Sequence, residues 1–202
     1  MPSTIYMKKL ELFIPLKTTT QVFGVNAEFY QKNLVDSNGK PLIIAHNGID
    51  YALEADRKIF ATHDGEVVYA GVDNNEGKGI VIRTTEQFEY NGGSAYFKTI
   101  YWHLESFNVK VGDKVKAGDF IGIGDNTGFS TSNHLHFGLK PQSLNENNWT
   151  WLNIEQNNGY AGAINPYPYF NGYYARDAQK IIGIMNKIIE LLKVALNLFQ
   201  LK

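Results

Sequence analysis

The chain has 202 residues, of which 44% are hydrophobic and 19% are charged, as expected for a folded globular protein. Its formal net charge is -1, so it lacks the broad positive field of nucleic-acid-binding proteins, and nucleic acid is not an expected partner. It contains no cysteine, which excludes disulfides, thiolate metal ligands and cysteine nucleophiles.

We interpret the first twenty residues, 1–20, as an N-terminal extension. In the segment MPSTIYMKKLELFIPLK, Glu11 and Pro15 interrupt a short apolar stretch, and no small-residue cleavage site follows. This is not the pattern of a signal peptide. No stretch reaches the roughly 18 apolar residues that a membrane-spanning helix needs. We therefore expect a soluble chain with neither a signal peptide nor a transmembrane segment.

Short stretches with strand character, separated by glycine turns, follow up to about residue 140. β-branched and aromatic residues dominate three of them, HDGEVVYAGVD, KGIVIRT and AYFKTIYWHL, and two Gly-Asp turns divide a fourth, FNVKVGDKVKAGDFIGIGD. Short strands with closely spaced turns are typical of antiparallel all-β domains. The sequence therefore predicts a mainly β domain, an antiparallel β-sheet or sandwich, which we assign to residues 21–172.

The last part of this domain, residues 145–172, is rich in Asn, Gly and Pro, which predicts a loop. An unstructured linker would seldom hold so many aromatic residues. We therefore expect the aromatic side chains of this loop to pack on the domain: Trp149, Trp151, Tyr160, Tyr167 and Phe170.

Residues 173–202 form a predicted C-terminal amphipathic helix. Its polar residues recur on one face: Lys187, Glu190, Lys193 and Asn197. Some of its apolar residues alternate in spacings of four and three, as in a coiled coil: Ile181, Met185, Ile188, Leu192, Ala195 and Phe199. Three roles stay open, namely docking on the chain's own domain, contact with a partner or with further copies of the chain, and binding at a membrane surface. The charges in its middle argue against a spanning helix.

Two of the five histidines, His134 and His136, lie two residues apart in the segment TSNHLHFGL. Side chains at this spacing on a β-strand point to the same face, about 6 to 7 Å apart. Two imidazoles so close together cannot both be charged without repulsion. The pair therefore favours a shared metal ion, or a metal ligand beside a catalytic histidine.

Two further segments carry histidines in compact motifs. His46 and Asp50 flank Asn47-Gly48, and a turn there can bring together two side chains that an extended strand would hold about 13 Å apart. Histidine and aspartate are both ligands of Zn²⁺. His103 lies in the aromatic segment IYWHL, where a packed core histidine is the alternative.

The segments HNGID, YWHL and GDNTGFSTSNHLHFGL, in this order, resemble the motifs of the lysostaphin/LytM-type zinc metalloendopeptidases of peptidoglycan. The similarity covers roughly residues 20 to 170 and implies the LytM peptidase fold. TQVFGVNAEFY further resembles the subset found in phage and phage-like proteins.

The resemblance implies roles for five residues. It makes His46, Asp50 and His136 the ligands of Zn²⁺, and His103 and His134 the catalytic histidines. Its implied substrate is the peptide part of bacterial peptidoglycan, either stem peptide or cross-bridge. The implied place of action is the bacterial cell wall, reached from outside the cell, from the periplasm or from a phage virion.

Four further residues are expected to line the substrate groove: Trp102, Asn126, Thr127 and Gly128. Trp102 departs from the family pattern, which has a small residue between the tyrosine and the histidine. Two other functions stay open. One is a non-catalytic module that binds cell wall or a partner protein, and the other is a non-haem iron enzyme, which also uses two histidines and a carboxylate.

Overall fold

A computed structural model of the chain describes residues 7–147 and 149–200, with side chains described as far as residue 197. Residues 1–6 of the predicted N-terminal extension, residues 201–202 of the predicted helix and the side chain of Phe199 lie outside this description. The elements in chain order are β1 (Leu12–Ile14), β2 (Thr19–Gln21), α1 (Ala27–Asn33), β3 (Ile49–Ala52), β4 (Lys58–Phe60), β5 (Gly65–Asp73), β6 (Gly77–Arg83), β7 (Phe88–Tyr90), β8 (Gly93–Trp102), β9 (Leu104–Phe107), β10 (Lys114–Val115), β11 (Phe120–Gly124), β12 (His134–Asn145), β13 (Thr150–Asn153), β14 (Phe170–Tyr174) and α2 (Ala178–Gln200).

One large sheet carries the fold. Its strands run in the order β10-β5-β6-β8-β12-β3-β2, with β13 added beside β12 and β7 beside β8, and each of these pairs is antiparallel. A smaller antiparallel sheet has the order β4-β11-β9, and β1 pairs with β14 in parallel. The prediction of a mainly β, antiparallel fold with a C-terminal helix is confirmed.

The alternation of side chains along the central strands separates the core from the opposite face of the sheet. On β12, Leu135, Phe137 and Leu139 are fully buried and belong to the core cluster. Because a strand has a period of two, His134 and His136 lie on the other face. That face forms the floor of the candidate site.

The N-terminal segment contributes to the same core. Leu10, Leu12 and Leu16 are buried in the core cluster, and β1 holds Leu12 against Phe170 of β14. Leu10, Leu12, Ile14 and Leu16 occupy every second position, which is the pattern of a half-buried strand. Residues 10–16 of the predicted extension therefore pack as part of the domain.

The glycine turns and the aromatic loop are only partly as expected. Gly112 and Gly118 have positive φ, as the two Gly-Asp turns require. Trp151 packs edge-on against Tyr96 with ring centroids 4.9 Å apart. Trp149, however, is 75% exposed, so the expectation that the loop's aromatic residues pack on the domain is wrong for this one.

The C-terminal helix begins at Ala178 rather than at residue 173, because β14 and a short 3-10 turn occupy the preceding residues. Ala178 is buried, and Ile181 and Ile182 are half-buried. From Gly183 to Asn197 every side chain is exposed, including large apolar ones such as Leu191 at 70%. Docking of the helix along its length on the chain's own domain is therefore not observed.

Among the described residues, no helix has both the length and the apolar content that crossing a membrane requires.

Candidate metal centre and active site

Three side chains converge on one face of the large sheet, two from the neighbouring strands β3 and β12 and one from the segment before β3. The antiparallel register of β3 and β12 sets Asp50 directly opposite His136. His46 lies before the bend at Gly48 and turns back towards Asp50. The Nε2 atom of His46 and the Nδ1 atom of His136 lie 3.1 Å and 3.0 Å from Oδ1 of Asp50, and 3.1 Å from each other.

This triangle has the composition and size of a metal-binding site. All three ligand atoms lie within 4.8 Å of one another. A tetrahedral Zn²⁺, with bonds of about 2.0 to 2.2 Å, would keep its ligand atoms about 3.3 Å apart. The observed separations of 3.0 to 3.1 Å are close to that spacing. Two histidines and one carboxylate leave a fourth position open for water or substrate.

Neighbouring groups orient these three side chains. Nδ1 of His46 donates a hydrogen bond to the backbone oxygen of Val22 at 2.9 Å, which leaves Nε2 free to bind a metal. The ring of Tyr30 stacks on His46 with centroids 5.5 Å apart. Burial alone would raise the pKa of Asp50, but the adjacent imidazoles of His136 and His46 outweigh it and hold this pKa well below its usual range. Asp50 is therefore a carboxylate at neutral pH.

Gly48 permits the close approach of the two segments. A Cβ atom at this position would lie 2.6 Å from Cε1 and Nε2 of His136 and 2.6 Å from the backbone oxygen of Phe137. Real Cβ atoms essentially never show contacts under 3.0 Å. The glycine of the HNGID motif therefore makes room for the ring of His136.

His134 and His103 flank the cluster. Nε2 of His134 lies 3.7 Å from Oδ2 of Asp50, and the ring of His103 lies 4.7 Å from the ring of His134. Nδ1 of His134 is 2.7 Å from the backbone oxygen of Ser132, and Nδ1 of His103 is 2.8 Å from the backbone oxygen of Thr127. Because a carbonyl only accepts, Nδ1 of each ring carries a proton, so Nε2 is the nitrogen through which either ring can exchange a proton.

His103 has a strained backbone and a perturbed pKa. Its φ of 67° is in the left-handed region, which non-glycine residues adopt rarely and which recurs at functional sites. This residue forms the kink between β8 and β9. Burial, followed by the nearby His136 and His134, lowers the pKa of His103 to about 4. His103 is therefore neutral at pH 7 and able to accept a proton.

Thr127 holds the ring of His103 in place through a hydrogen bond. Its backbone oxygen accepts from His103, its hydroxyl donates to the backbone oxygen of Leu104 at 2.8 Å, and the same hydroxyl accepts from the backbone N–H of Lys78 at 3.0 Å. The polar groups of Thr127 are thus largely used within the protein. Among the four residues expected to line the groove, this one mainly holds a catalytic candidate in place.

A cavity of about 530 Å³ opens over the cluster. Besides the four histidines and the aspartate named above, its lining includes Gly128, one of the four residues expected in the substrate groove. It also includes several residues that the sequence analysis did not name: Gln21, Asn26, Phe29, Tyr30, Glu76 and Phe129. Phe29 of α1 and Phe129 of the loop between β11 and β12 contact each other over the cavity, with ring centroids 6.0 Å apart. Asn126 is exposed and lies outside this lining.

Trp102 lies in an adjoining part of the groove. It lines a second cavity, which shares His136, Asn47 and Glu76 with the first. Its indole covers Gly79 so closely that a Cβ there would be 1.8 Å from the ring, and it meets Tyr69 edge-on at 5.7 Å. The fifth histidine, His63, is buried away from this region, where its Nε2 pairs with the hydroxyl of Thr99 at 2.9 Å, so it is structural.

Comparison with known proteins identifies the family behind this geometry. The profile described as Peptidase family M23 matches residues 44–148, more than half of the chain and all five residues of the histidine-aspartate group. The chain belongs to Peptidase family M23. This confirms the resemblance that the sequence motifs indicated.

Individual M23 relatives are similar over about half of this chain. Glycyl-glycine endopeptidase ALE-1 of Staphylococcus capitis is 41% identical over 102 residues, which are 50% of this chain and 26% of ALE-1. Peptidoglycan DD-endopeptidase ShyB of Vibrio cholerae is 35% identical over 95 residues, 47% of this chain and 20% of ShyB. The chain thus spans about a quarter or less of the length of these relatives.

Among solved structures, the catalytic domain of lysostaphin from Staphylococcus simulans aligns with a TM-score of 0.48 and 26% identity, over 79% of this chain and 91% of that domain.

Proposed function

We propose that this M23 chain is a zinc-dependent endopeptidase that hydrolyses peptide bonds in bacterial peptidoglycan, in its stem peptides or cross-bridges. The observation that supports the proposal best is the cluster of His46, Asp50 and His136, with two further histidines beside it and a cavity above it. The names of two relatives, a glycyl-glycine endopeptidase and a peptidoglycan DD-endopeptidase, support the substrate class. The same substrate implies that the chain acts at the bacterial cell wall.

In this proposal His46, Asp50 and His136 hold Zn²⁺, and His103 and His134 perform proton transfer. Zn²⁺ held there would lower the pKa of a bound water molecule to about 7 and would polarise the scissile carbonyl. The free Nε2 of a neutral histidine accepts a proton as the water attacks, and the resulting imidazolium donates a proton to the leaving amine. The chain has no H-E-x-x-H motif to supply a glutamate for these steps.

The groove residues position the peptide in this scheme. Gly128 lines the cavity and Trp102 narrows its continuation. We propose that Trp102 and Gly128 contact substrate, that Asn126 contacts it from the rim, and that Thr127 contributes through its hold on His103.

The alternative function is a non-catalytic module that binds cell wall or a partner protein. Digestion of purified peptidoglycan sacculi by the zinc-loaded protein, with and without a chelator, separates the two. We expect new amino and carboxyl termini in the released fragments, read by mass spectrometry, and their loss with the chelator. Intact sacculi from several wall types, with zinc confirmed in the protein, would contradict the endopeptidase and support the binding module.

We also propose that α2 associates with α2 helices of further copies of the chain. The exposed apolar side chains follow the predicted four-three spacing at Met185, Ile188 and Leu192. Ile184 and Leu191 extend this stripe on one side, and Ile189 and Leu196 extend it on the other. A stripe this wide exceeds the scattered apolar residues of an ordinary surface and suits packing between two neighbouring helices. A membrane surface is the alternative for the same face.

A further inference from the structure

Three basic residues form a row across the large sheet, on the face that also carries the candidate metal centre. Arg83 of β6 lies directly opposite Lys98 of β8, and Lys98 lies directly opposite Lys140 of β12. Like charges directly opposite each other on one face of a sheet are destabilising. The fold therefore keeps three cations together at a cost in stability.

No ion pair compensates for this arrangement. Within residues 7–147 and 149–200, no carboxylate oxygen lies within 4.0 Å of the charged nitrogens of the row. Lys140 donates to the backbone oxygen of Ala161 at 2.7 Å, and the guanidinium of Arg83 stacks 3.6 Å above the ring of Trp151. These contacts fix the positions of two cations without neutralising either.

Burial and the neighbouring cations together disfavour the charged form of Lys98. All three side chains are half-buried. Burial, then the charges of Lys140 and Arg83, lowers the pKa of Lys98 to about 8. The negative charges of Glu76 and Glu66 favour the charged forms of Lys140 and Arg83, respectively, but both carboxylates lie beyond ion-pair distance. An anion placed over the row would relieve the repulsion.

The row lies at a defined distance from the candidate metal centre. His136 and Lys140 are four residues apart on β12 and face the same side of the sheet, so they are about 13 Å apart. One continuous cavity wall connects them, formed by His136, Trp102, Gly138, Ile100, Lys98 and Lys140. An extended peptide advances about 3.3 to 3.6 Å per residue, so three or four residues cover this distance.

We propose that Arg83, Lys98 and Lys140 bind a carboxylate of the substrate peptide, three or four residues from the bond that is cleaved. This inference rests on the proposed peptidase function, because it takes the peptide as the ligand. It assigns the substrate class more closely: a peptide with a free carboxylate at a fixed distance from the scissile bond. An uncharged peptide fills the same groove but leaves the cation row unpaired.

The test compares matched peptides that differ in one charge. A peptide cut by the zinc-loaded chain is remade with a single Glu or Gln at each of the five positions on either side of the cleaved bond. We expect one position, three or four residues away, at which the Glu peptide has a kcat/KM roughly 10- to 100-fold above the Gln peptide, the range of a hydrogen bond to a charged group. The difference should lie in KM rather than in kcat, because the row is remote from the reacting atoms.

Two variants connect this preference to the row. Lys98→Gln and Lys140→Gln should each reduce the ratio of kcat/KM for the Glu peptide to kcat/KM for the Gln peptide. Lys110→Gln is the matched control, because Lys110 is exposed on a turn away from the groove. Lys98→Gln should also raise the melting temperature, because it removes like-charge repulsion. If Lys98 only stabilised the fold, the same substitution would lower the melting temperature.

Failure of this inference is distinct from failure of the proposed function. If Glu and Gln peptides are cut equally at every position, the carboxylate site is refuted and the peptidase stands. If no peptide is cut, the same pairs are tested for equilibrium binding by fluorescence anisotropy. A Glu preference that Lys98→Gln abolishes would then support the row as a carboxylate site in a binding module, and equal binding would refute it.

Discussion

The substitution Gly48→Ala adds a single methyl group, and we expect it to disrupt the candidate metal centre. In Gly48→Ala the added Cβ would be 2.6 Å from the ring of His136, 0.8 Å short of the 3.4 Å at which ordinary contact begins. The added Cβ would also be 2.6 Å from the backbone oxygen of Phe137, which cannot rotate away as a side chain can. Because metal sites tolerate deviations of only about 0.2 Å in ligand distance, a displacement of this size is decisive.

The expected magnitudes follow from these distances. We expect zinc affinity to fall by at least the roughly 10- to 100-fold that loss of a supporting group around a metal costs. Overpacking should also destabilise the metal-free fold by about 1 to 3 kcal/mol. Gly48 does not have a left-handed φ, so the effect would be steric and not a consequence of backbone strain.

Zinc affinity is measured by competition with a chromophoric chelator, and stability by thermal unfolding with and without zinc. Gly93→Ala is the matched control, because its Cβ would meet nothing nearer than the backbone oxygen of Tyr90 at 3.7 Å, again without a left-handed φ. Wild-type zinc affinity in Gly48→Ala would refute the reasoning, since the ring of His136 would then be free to move without consequence.

Further predictions concern the histidines, α2 and Trp102. His134→Ala should keep zinc and lose about 10² to 10⁴ in kcat, whereas His136→Ala should lose both zinc and activity; full turnover in His134→Ala would contradict the assignment. Burial lowers the pKa of His63 in the folded chain, so the unfolded chain binds a proton at this histidine at a higher pH than the folded chain does. The free energy of unfolding therefore decreases as the pH falls below about 6.5. In protein freed of metal by a chelator, His63→Gln should reduce the decline in melting temperature between pH 7 and pH 5. In sedimentation, the full chain should be larger than a monomer, and a chain truncated after Asp177 should be monomeric. Ile188→Glu should dissociate the assembly, whereas Glu190→Gln should leave it intact. If the full chain and the truncated chain are both monomeric, self-association through α2 is excluded. Trp102→Ala should widen the range of stem and bridge peptides that are cut, and an unchanged range would exclude a restricting role for the indole.

The sequence predicted that His46 and Asp50 can converge, because the motif that holds them is local. His46, Gly48 and Asp50 share one bend and the start of one strand, so their spacing already implies that they can converge. His134 and His136 share one strand, and the period of two places them on one face. The link between the two segments is the pairing of β3 with β12. That pairing is a long-range contact and was not predicted. Only the family resemblance implied that His136 joins His46 and Asp50.

Features that depend on long-range packing were not predictable in this way. Tyr30 stacks on His46 from a helix of only seven residues, too short for its apolar period to stand out in the sequence. The left-handed backbone of His103 has no local cause in the segment YWHL. The ring of His103 donates a hydrogen bond to the backbone oxygen of Thr127, which lies in a loop 24 residues further along the chain. The basic row likewise arises only through the register of three strands.

Side chains along β12 alternate between the hydrophobic core and the face that carries the candidate site. Leu135, Phe137 and Leu139 are fully buried, and the residues between and beside them face the groove. A slip of one residue in register would exchange the two faces and place the histidines in the core. The hydrophobic core therefore selects the register that sets His136 opposite Asp50. Lys140, on the same strand and face, is placed by that same register, so the distance between metal centre and basic row is fixed by packing rather than by flexible loops.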